Sequence, residues 1–114
     1  MKVIINNILP LGRHFIAINL FGVVFAKKSL TNVCINHEFI HSAQQKEMAW
    51  IFFYLWYVIE WTIRLLITLS PLLAYRNISF EREAYDNQTK FNYVNTRKRF
   101  AWMKYLYQHH YSSN

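Results

Sequence analysis

Cysteine, glycine and proline are scarce in this chain of 114 residues. The single cysteine, Cys34, excludes a disulfide framework within the chain, and a free thiol is typical of a reducing compartment. Glycine and proline occur twice each, which argues against a loop-rich or disordered protein and favours long regular elements.

Acidic residues are also few, and 13 basic residues against six acidic ones give a net charge of +7. A basic surface can meet nucleic acid or anionic lipid, or it can simply be solvated. Nucleic-acid binding is not expected, because the supporting pattern is confined to the late cluster Arg97, Lys98, Arg99 and Lys104. Pro10 and Gly12 interrupt the first apolar run, so we expect no cleavable signal peptide. The free thiol and the basic tail predict that the protein is in the cytoplasm or on the cytoplasmic face of the inner membrane.

Hydrophobic residues make up 54% of the chain, which is enough for the core of one domain over residues 1–114. The segment 15–26, rich in β-branched and aromatic residues, predicts a strand or a short hairpin. Helices are predicted over residues 32–48, 49–69, 79–88 and 92 to about 107. Candidate N-caps are Ser29, Thr31 and Asn32 for the first of these helices and Ser79 for the third. The sequence thus predicts a mainly α (α+β) fold, in which helices pack around residues 32–48.

The segment 49–69 is long enough to cross a bilayer, which takes about 20 apolar residues. Glu60 and Arg64 lie four residues apart within it and can pair on one helical face. A charge at mid-membrane costs at least ~2.5 kcal/mol, so two charges disfavour a lone span. Two interpretations stay open, a buried core helix and a membrane-embedded helix packed against protein. Ser70 and Pro71 are expected to end this helix.

The sequence His37-Glu38-Phe39-Ile40-His41 is an HExxH motif on a predicted helix. Residues four apart share a helix face, so the two imidazoles can bind one zinc ion at ~2.0–2.1 Å. Glu38 flanks that position and is the expected base that activates a zinc-bound water. The alternative is a helix with two histidines that bind no metal.

A catalytic zinc site needs a third protein ligand and one open position. Cys34 is excluded by reach, because about 10 Å of helix rise separates it from His41. Glu81 is the best candidate, since it shares a helix face with Ala84 while Glu83 points away. The alternative is that both glutamates are surface charges. Weaker ligand candidates are His14, His109 and His110.

An HExxH motif followed by a Glu in an E-x-x-A setting resembles the gluzincin class of zinc metallopeptidases, especially its small and membrane-associated members. Much of the range 36–105 is similar to small bacterial metallopeptidase-like proteins, through the pieces NHEFIHSAQQKEM, FFYLWYVIEW, YRNISFEREAY and RKRFAWMKY. The resemblance implies His37, His41 and Glu81 as zinc ligands and Glu38 as base. It also implies that the N-terminal strand lines the cleft as an edge strand.

Tyr85 departs from the pattern, because many gluzincins carry there an Asp that orients a metal-bound imidazole. Losing such a partner costs about 10–100-fold in affinity or activity. Asn36, Gln44 or a backbone carbonyl can take its place, and the sequence does not choose among them. Candidate donors to a developing oxyanion are Tyr85, Tyr93, Arg76 and His14.

The function predicted from the sequence is that of a zinc-dependent metallohydrolase acting on a peptide or protein, since an extended peptide can pair with a strand edge. Because the chain is short, we expect its cleft to be completed by a partner, either a membrane surface or a membrane-embedded protein. The alternative is a non-enzymatic membrane-associated or protein-interaction module with a structural or vestigial metal site.

Overall fold

The computed structural model describes residues 2–5, 17–26 and 30–106. Three strands and six helical segments are found there: β1 Lys2–Ile5, β2 Ala17–Leu20, β3 Val23–Ala26, α1 Asn32–Glu47, α2 Ile51–Thr68, α3 Pro71–Asn77, α4 Ser79–Asn87, α5 Tyr93–Thr96 and the 3₁₀ helix Ala101–Leu106. The mainly α (α+β) fold predicted from the sequence is confirmed. Three ligand candidates lie outside the described residues: His14, His109 and His110.

The strands form a sheet in the order β1-β3-β2, with β1 parallel and β2 antiparallel to β3. Phe21 and Gly22 connect β2 to β3 with φ of 53° and 81°, the left-handed backbone that a two-residue hairpin turn requires. The predicted hairpin is therefore confirmed, and β2 is an edge strand of the described sheet. Strand β1 was not predicted.

Helix α1 begins where the sequence predicts. The hydroxyl of Thr31 accepts a hydrogen bond from the backbone N–H of Cys34 at 3.2 Å, so Thr31 is the N-cap among the candidates. Pro71 was predicted only to end a helix, but it also begins α3. Ser70 caps that helix by accepting from the N–H of Leu73, and proline suits a first turn because its missing N–H has no helical partner there.

Two predictions about the later helices are wrong. Ser79 does not cap α4, because its hydroxyl donates to the Glu60 carboxylate and Ile78 precedes the helix instead. The single helix predicted from residue 92 to about 107 is broken between α5 and the 3₁₀ helix. Arg97 is extended there (φ −67°, ψ 146°), with its guanidinium directed to the carboxylates of Glu83 and Glu47.

The hydrophobic core lies between α2, α4 and the 3₁₀ helix. It contains Phe53, Ile78, Phe80 and Trp102. The Phe53 and Phe80 rings lie 4.4 Å apart between centroids, and the Phe80 and Trp102 rings 4.7 Å apart. These contacts fix one side of α2 against α4, which carries the candidate ligand Glu81.

The opposite side of α2 is apolar and exposed. We call it the α2 outward surface, and it consists of Ile51, Phe52, Leu55, Val58, Ile59, Ile63, Leu66 and Ile67. Within the described residues, α2 is the one helix long and apolar enough to cross a membrane by length and composition. Its two charged residues face inward and are paired as predicted, with 3.1 Å between Arg64 Nη2 and Glu60 Oε2.

Candidate metal centre

Helix α1 and helix α4 bring the three predicted ligands together. The Nε2 atoms of His37 and His41 lie 3.0 Å apart. Oε1 of Glu81 lies 3.2 Å from the first and 3.0 Å from the second. Ligand atoms at 2.0–2.1 Å from a tetrahedral zinc ion are separated by about 3.3 Å, so the three donors match one face of such a site.

Helix α4 presents Glu81 because its small residue Ala84, on the same face, is fully buried. The hydroxyl of Tyr57, on α2, donates to the other carboxylate oxygen of Glu81, Oε2, at 2.7 Å. This hydrogen bond holds the carboxylate with Oε1 toward the imidazoles. Three helices thus fix the cluster, and its ligand residues are between 4% and 7% exposed.

The tautomer of His41 is determined by Gln44. The Gln44 amide nitrogen donates to the Phe80 carbonyl and to Oε1 of Glu83, each at 2.9 Å, so its oxygen faces Nδ1 of His41 at 2.8 Å. Nδ1 must therefore carry a proton and donate it to that oxygen. Nε2 is left as the ligand atom, and it is the atom that faces the cluster.

The second imidazole is oriented by a residue that the sequence analysis missed. Nδ1 of His37 lies 2.9 Å from Oε1 of Gln88, the residue after α4. Asn36 donates to the backbone carbonyls of Gln88 and Lys90 at 2.7 and 3.1 Å and so fixes that segment. Gln88 follows Glu81 by seven residues, which is about two helical turns and places both on one face. This spacing is the sequence pattern that could have indicated Gln88.

Tyr85 stands where an acidic partner was expected, and it acts through packing. Its ring meets the ring of His37 edge-on, with 4.5 Å between centroids. The Tyr85 hydroxyl is 2.9 Å from that of Tyr75, and the guanidinium of Arg76 lies 3.8 Å from the Tyr85 ring centroid. Of the candidate oxyanion donors, Tyr85 contacts the cluster and Arg76 contacts Tyr85. Tyr93 instead donates to Glu83 at 2.7 Å.

Glu83 faces away from the imidazoles, as expected, but neither glutamate is a surface charge. Glu83 is fully buried and Glu81 is 4% exposed. Arg97 Nε donates to Oε2 of Glu83 at 2.8 Å, and its Nη1 donates to Oε1 of Glu47 at 2.8 Å. A buried chain of hydrogen bonds therefore runs from His41 through Gln44 to this group of charges.

Glu38, the candidate base, lies on the same helix and is 8% exposed. Its Oε2 is buried without a hydrogen-bond partner among the described residues. Burial raises the pKa of Glu38 by more than the neighbouring His41 and His37 lower it. Buried carboxylate oxygens are nearly always paired, so an orphaned one beside two imidazoles indicates a place for a water or a substrate group.

The charges of the cluster favour a cation between the donors. Burial lowers the pKa of His41, but the adjacent Glu81 carboxylate raises it more, to about 9. Burial raises the pKa of Glu81, and His41 and His37 lower it well below its usual range. In the metal-free protein a proton on Nε2 of His41 thus faces two acceptor atoms, Nε2 of His37 and Oε1 of Glu81. Once that proton is released, all three atoms could bind one divalent ion, so the donor set fits zinc.

Cys34 is partly exposed and free, and it is not part of the cluster. Within the described residues, His37, His41 and Glu81 are the one group of potential ligands close enough to share an ion. Comparison with protein-family models, with curated protein sequences and with solved structures gives no match. The resemblance to gluzincins therefore rests on the sequence motifs alone.

Proposed function

We propose that this chain is a zinc-dependent hydrolase that cleaves peptide bonds in a peptide or protein substrate. One observation carries the proposal: Nε2 of His37, Nε2 of His41 and Oε1 of Glu81 lie within 3.0 to 3.2 Å of one another inside the protein. Two glutamine side chains hold the imidazoles in the orientation that leaves these atoms free for an ion.

The residues in and around the cluster have different roles in the proposed hydrolysis. A bound zinc ion would act as a Lewis acid and lower the pKa of a water toward ~7. His37, His41 and Glu81 would hold the ion. Glu38 takes the proton of the attacking water and then donates it to the leaving amine. The raised pKa of Glu38 suits that second step, because a carboxyl group that donates a proton needs a pKa closer to neutral.

Strand β2 supports a peptide as the substrate class. Asn19 of β2 donates to the backbone carbonyl of Glu38 at 3.0 Å and to the hydroxyl of Ser42 at 2.9 Å, so the strand lies against the HExxH helix. Because β2 is an edge strand of the described sheet, an extended peptide can pair with it beside the cluster.

The burial of the cluster favours a second candidate, a non-enzymatic module with a structural metal ion. A catalytic zinc ion needs one position open to substrate, and the ligand residues here are at most 7% exposed. The two candidates share the ligand set. They differ in whether Glu38 has a chemical task.

Zinc content tests the ligand set. Purified wild-type protein is expected to bind one zinc ion per chain. His37→Ala and Glu81→Gln should each lower zinc affinity about 100- to 1,000-fold, since roughly 10–16 kcal/mol of binding energy is shared among four ligands. Asp86→Asn removes an exposed carboxylate from the same helix and serves as the matched control. Unchanged affinity in Glu81→Gln would overturn the proposed site.

Hydrolysis of an unfolded protein substrate separates the two candidates. Glu38→Gln should bind zinc as the wild type does, while its rate falls at least about 100-fold, the usual contribution of a general base. A wild-type protein that binds zinc but cleaves no faster than Glu38→Gln would establish the structural role instead.

A further inference from the structure

The α2 outward surface is the largest feature that the proposed hydrolase site leaves unexplained. Its most exposed members, Leu66 and Ile51, are 72% and 69% exposed. Large contiguous apolar surfaces on soluble proteins mark interaction sites. The surface needs an apolar partner, and its polar groups and charges indicate which kind.

The threonine hydroxyls of α2 are satisfied within the helix. Thr62, an exposed polar residue on this side, donates its hydroxyl to the carbonyl of Val58 at 2.8 Å. Near the end of the helix, Thr68 does the same with the carbonyl of Arg64, also at 2.8 Å. Hydroxyls bonded to the carbonyl four residues earlier are compatible with a hydrocarbon environment, where no water is available to satisfy them.

The exposed charges of the described residues are mostly positive, which matches an anionic surface. Among the described residues, Asp86 is the one exposed acidic residue, because the other carboxylates are buried or paired. The exposed cations there are Lys46, Lys90, Lys98, Arg99 and Lys104. Lys46 lies in the last turn of α1, just before α2. The 3₁₀ helix, which carries Lys104, packs beside α2 through Trp102 and Trp56 at 6.3 Å between ring centroids.

The inward side of α2 indicates how the helix lies in a membrane. Ser79 donates its backbone N–H to Oε2 of Glu60 at 2.7 Å, and Tyr57 donates to the candidate ligand Glu81. A helix crossing the bilayer would carry these neighbours, with the charged residues of α4, to membrane depth at a high cost. With one side against protein and one side apolar, α2 is suited to lie in the plane of a single leaflet.

We propose that the α2 outward surface binds this chain to an anionic lipid bilayer, with α2 parallel to the membrane and its apolar side among the acyl chains. The 18 residues of α2 extend over about 27 Å, at about 1.5 Å per residue. Lys46 and Lys104, which lie on the segments that adjoin α2, contact the headgroups. The free thiol of Cys34 and the positive surface suit a cytoplasmic membrane face. The candidate metal cluster is then anchored next to the bilayer, where it would meet membrane-bound proteins.

Flotation of the full chain with lipid vesicles tests the proposal. Vesicles of phosphatidylcholine are compared with vesicles of phosphatidylcholine and phosphatidylglycerol in equal amounts. The wild type should float with the anionic vesicles, and high salt should weaken that binding. Ile63→Asn combined with Leu66→Asn should lower partitioning at least about 10-fold. Phe91→Asn, at a 61% exposed residue outside the surface, is the matched control and should stay near the wild type.

Charge variants provide an independent arm of the same experiment. Lys46→Glu combined with Lys104→Glu should weaken binding to anionic vesicles about fivefold per removed positive charge and leave binding to neutral vesicles unchanged. Zinc content, measured in the same samples, should not change in any of these variants, so the outcome is separate from that of the proposed enzyme.

Five outcomes would overturn the proposal. One is that the wild type fails to float. Another is that the Ile63→Asn, Leu66→Asn variant floats to the same extent as Phe91→Asn. A soluble dimer that this double variant converts to a monomer, without vesicle binding, would assign the surface to a second copy of the chain. Binding to duplex DNA in place of vesicles would assign the positive charge to nucleic acid. Resistance to extraction from vesicles at alkaline pH would indicate a spanning helix.

Discussion

Helix α1 is polar and largely buried, whereas helix α2 is strongly apolar and largely exposed. Six of the seven buried residues of α1 are polar or charged, and Ile40 is the exception. The buried residues of α2 are Phe53, Glu60 and Arg64, so even its inward side carries an ion pair. This reverses the usual relation, in which a surface helix turns its apolar side to the core.

The two helices differ in how this unfavourable arrangement is offset. In α1 the buried polar groups bond to one another and to α4, and the remaining acceptors converge on the candidate metal position. In α2 the exposed apolar side has no partner among the described residues. Burial of polar groups thus points to an ion, and exposure of apolar groups points to lipid.

If the polar interior beside α1 depends on paired charges, Arg97 is its most sensitive residue. Arg97→Met leaves the carboxylates of Glu83 and Glu47 buried without their cation, which costs about 4 kcal/mol of unfolding free energy. Urea denaturation measures the loss. The exposed neighbour Lys98→Met is the control and should change stability by no more than about 0.5 kcal/mol. Equal effects of the two variants would show that the ion pairs contribute nothing.

The two sides of α2 should respond differently to truncation. Phe53 is 3% exposed in the core, so Phe53→Ala should cost about 3 kcal/mol in urea denaturation without lipid. Leu66→Ala, on the outward side, should cost less than about 0.5 kcal/mol in the same measurement. A large loss in Leu66→Ala would mean that this side is already covered in solution.

Variants of Gln44 and of the adjacent Gln45 distinguish the effect of orienting a ligand from the effect of burying an amide. Both are fully or almost fully buried, but Gln45 bonds to strand β2 through the Asn19 carbonyl, while Gln44 bonds to His41. Gln44→Leu should lower zinc affinity about 10–100-fold, because the imidazole loses its orienting acceptor. Gln45→Leu should leave that affinity within about threefold. Isothermal titration measures both, and a similar loss in the two variants would contradict the assignment.

The features predicted from the sequence depend on residues close to one another along the chain. The spacing of His37 and His41 places both on one face of a helix, and the N-cap Thr31 acts on a residue three positions later. The ion pair within α2 follows from the same periodicity. Local geometry determines these interactions before the fold is known.

The features that were missed join distant parts of the chain. The contact between Arg97 and Glu47 spans 50 residues and extends the backbone where a helix was predicted. The contact between Tyr57 and Glu81 spans 24 residues. No pattern of residue types marks such pairs, because they depend on how α1, α2 and α4 pack. Gln88 is intermediate, since its spacing from Glu81 was visible but its partner His37 was not.

The smallest expected effect is the pH dependence of the α1 cluster. The pKa of His41 in the folded, metal-free protein is about 9, above its ordinary value of 6.5. Its contribution to stability is therefore complete below about pH 6.5 and is lost as the pH rises through about 9. Zinc must displace the proton from Nε2, so zinc affinity should rise about tenfold between pH 7 and pH 8 as one proton is released. Titration in buffers of different ionisation enthalpy counts that proton. Affinity that does not change over this interval would mean that His41 is already neutral and that the Glu81 carboxylate does not stabilise a proton on His41.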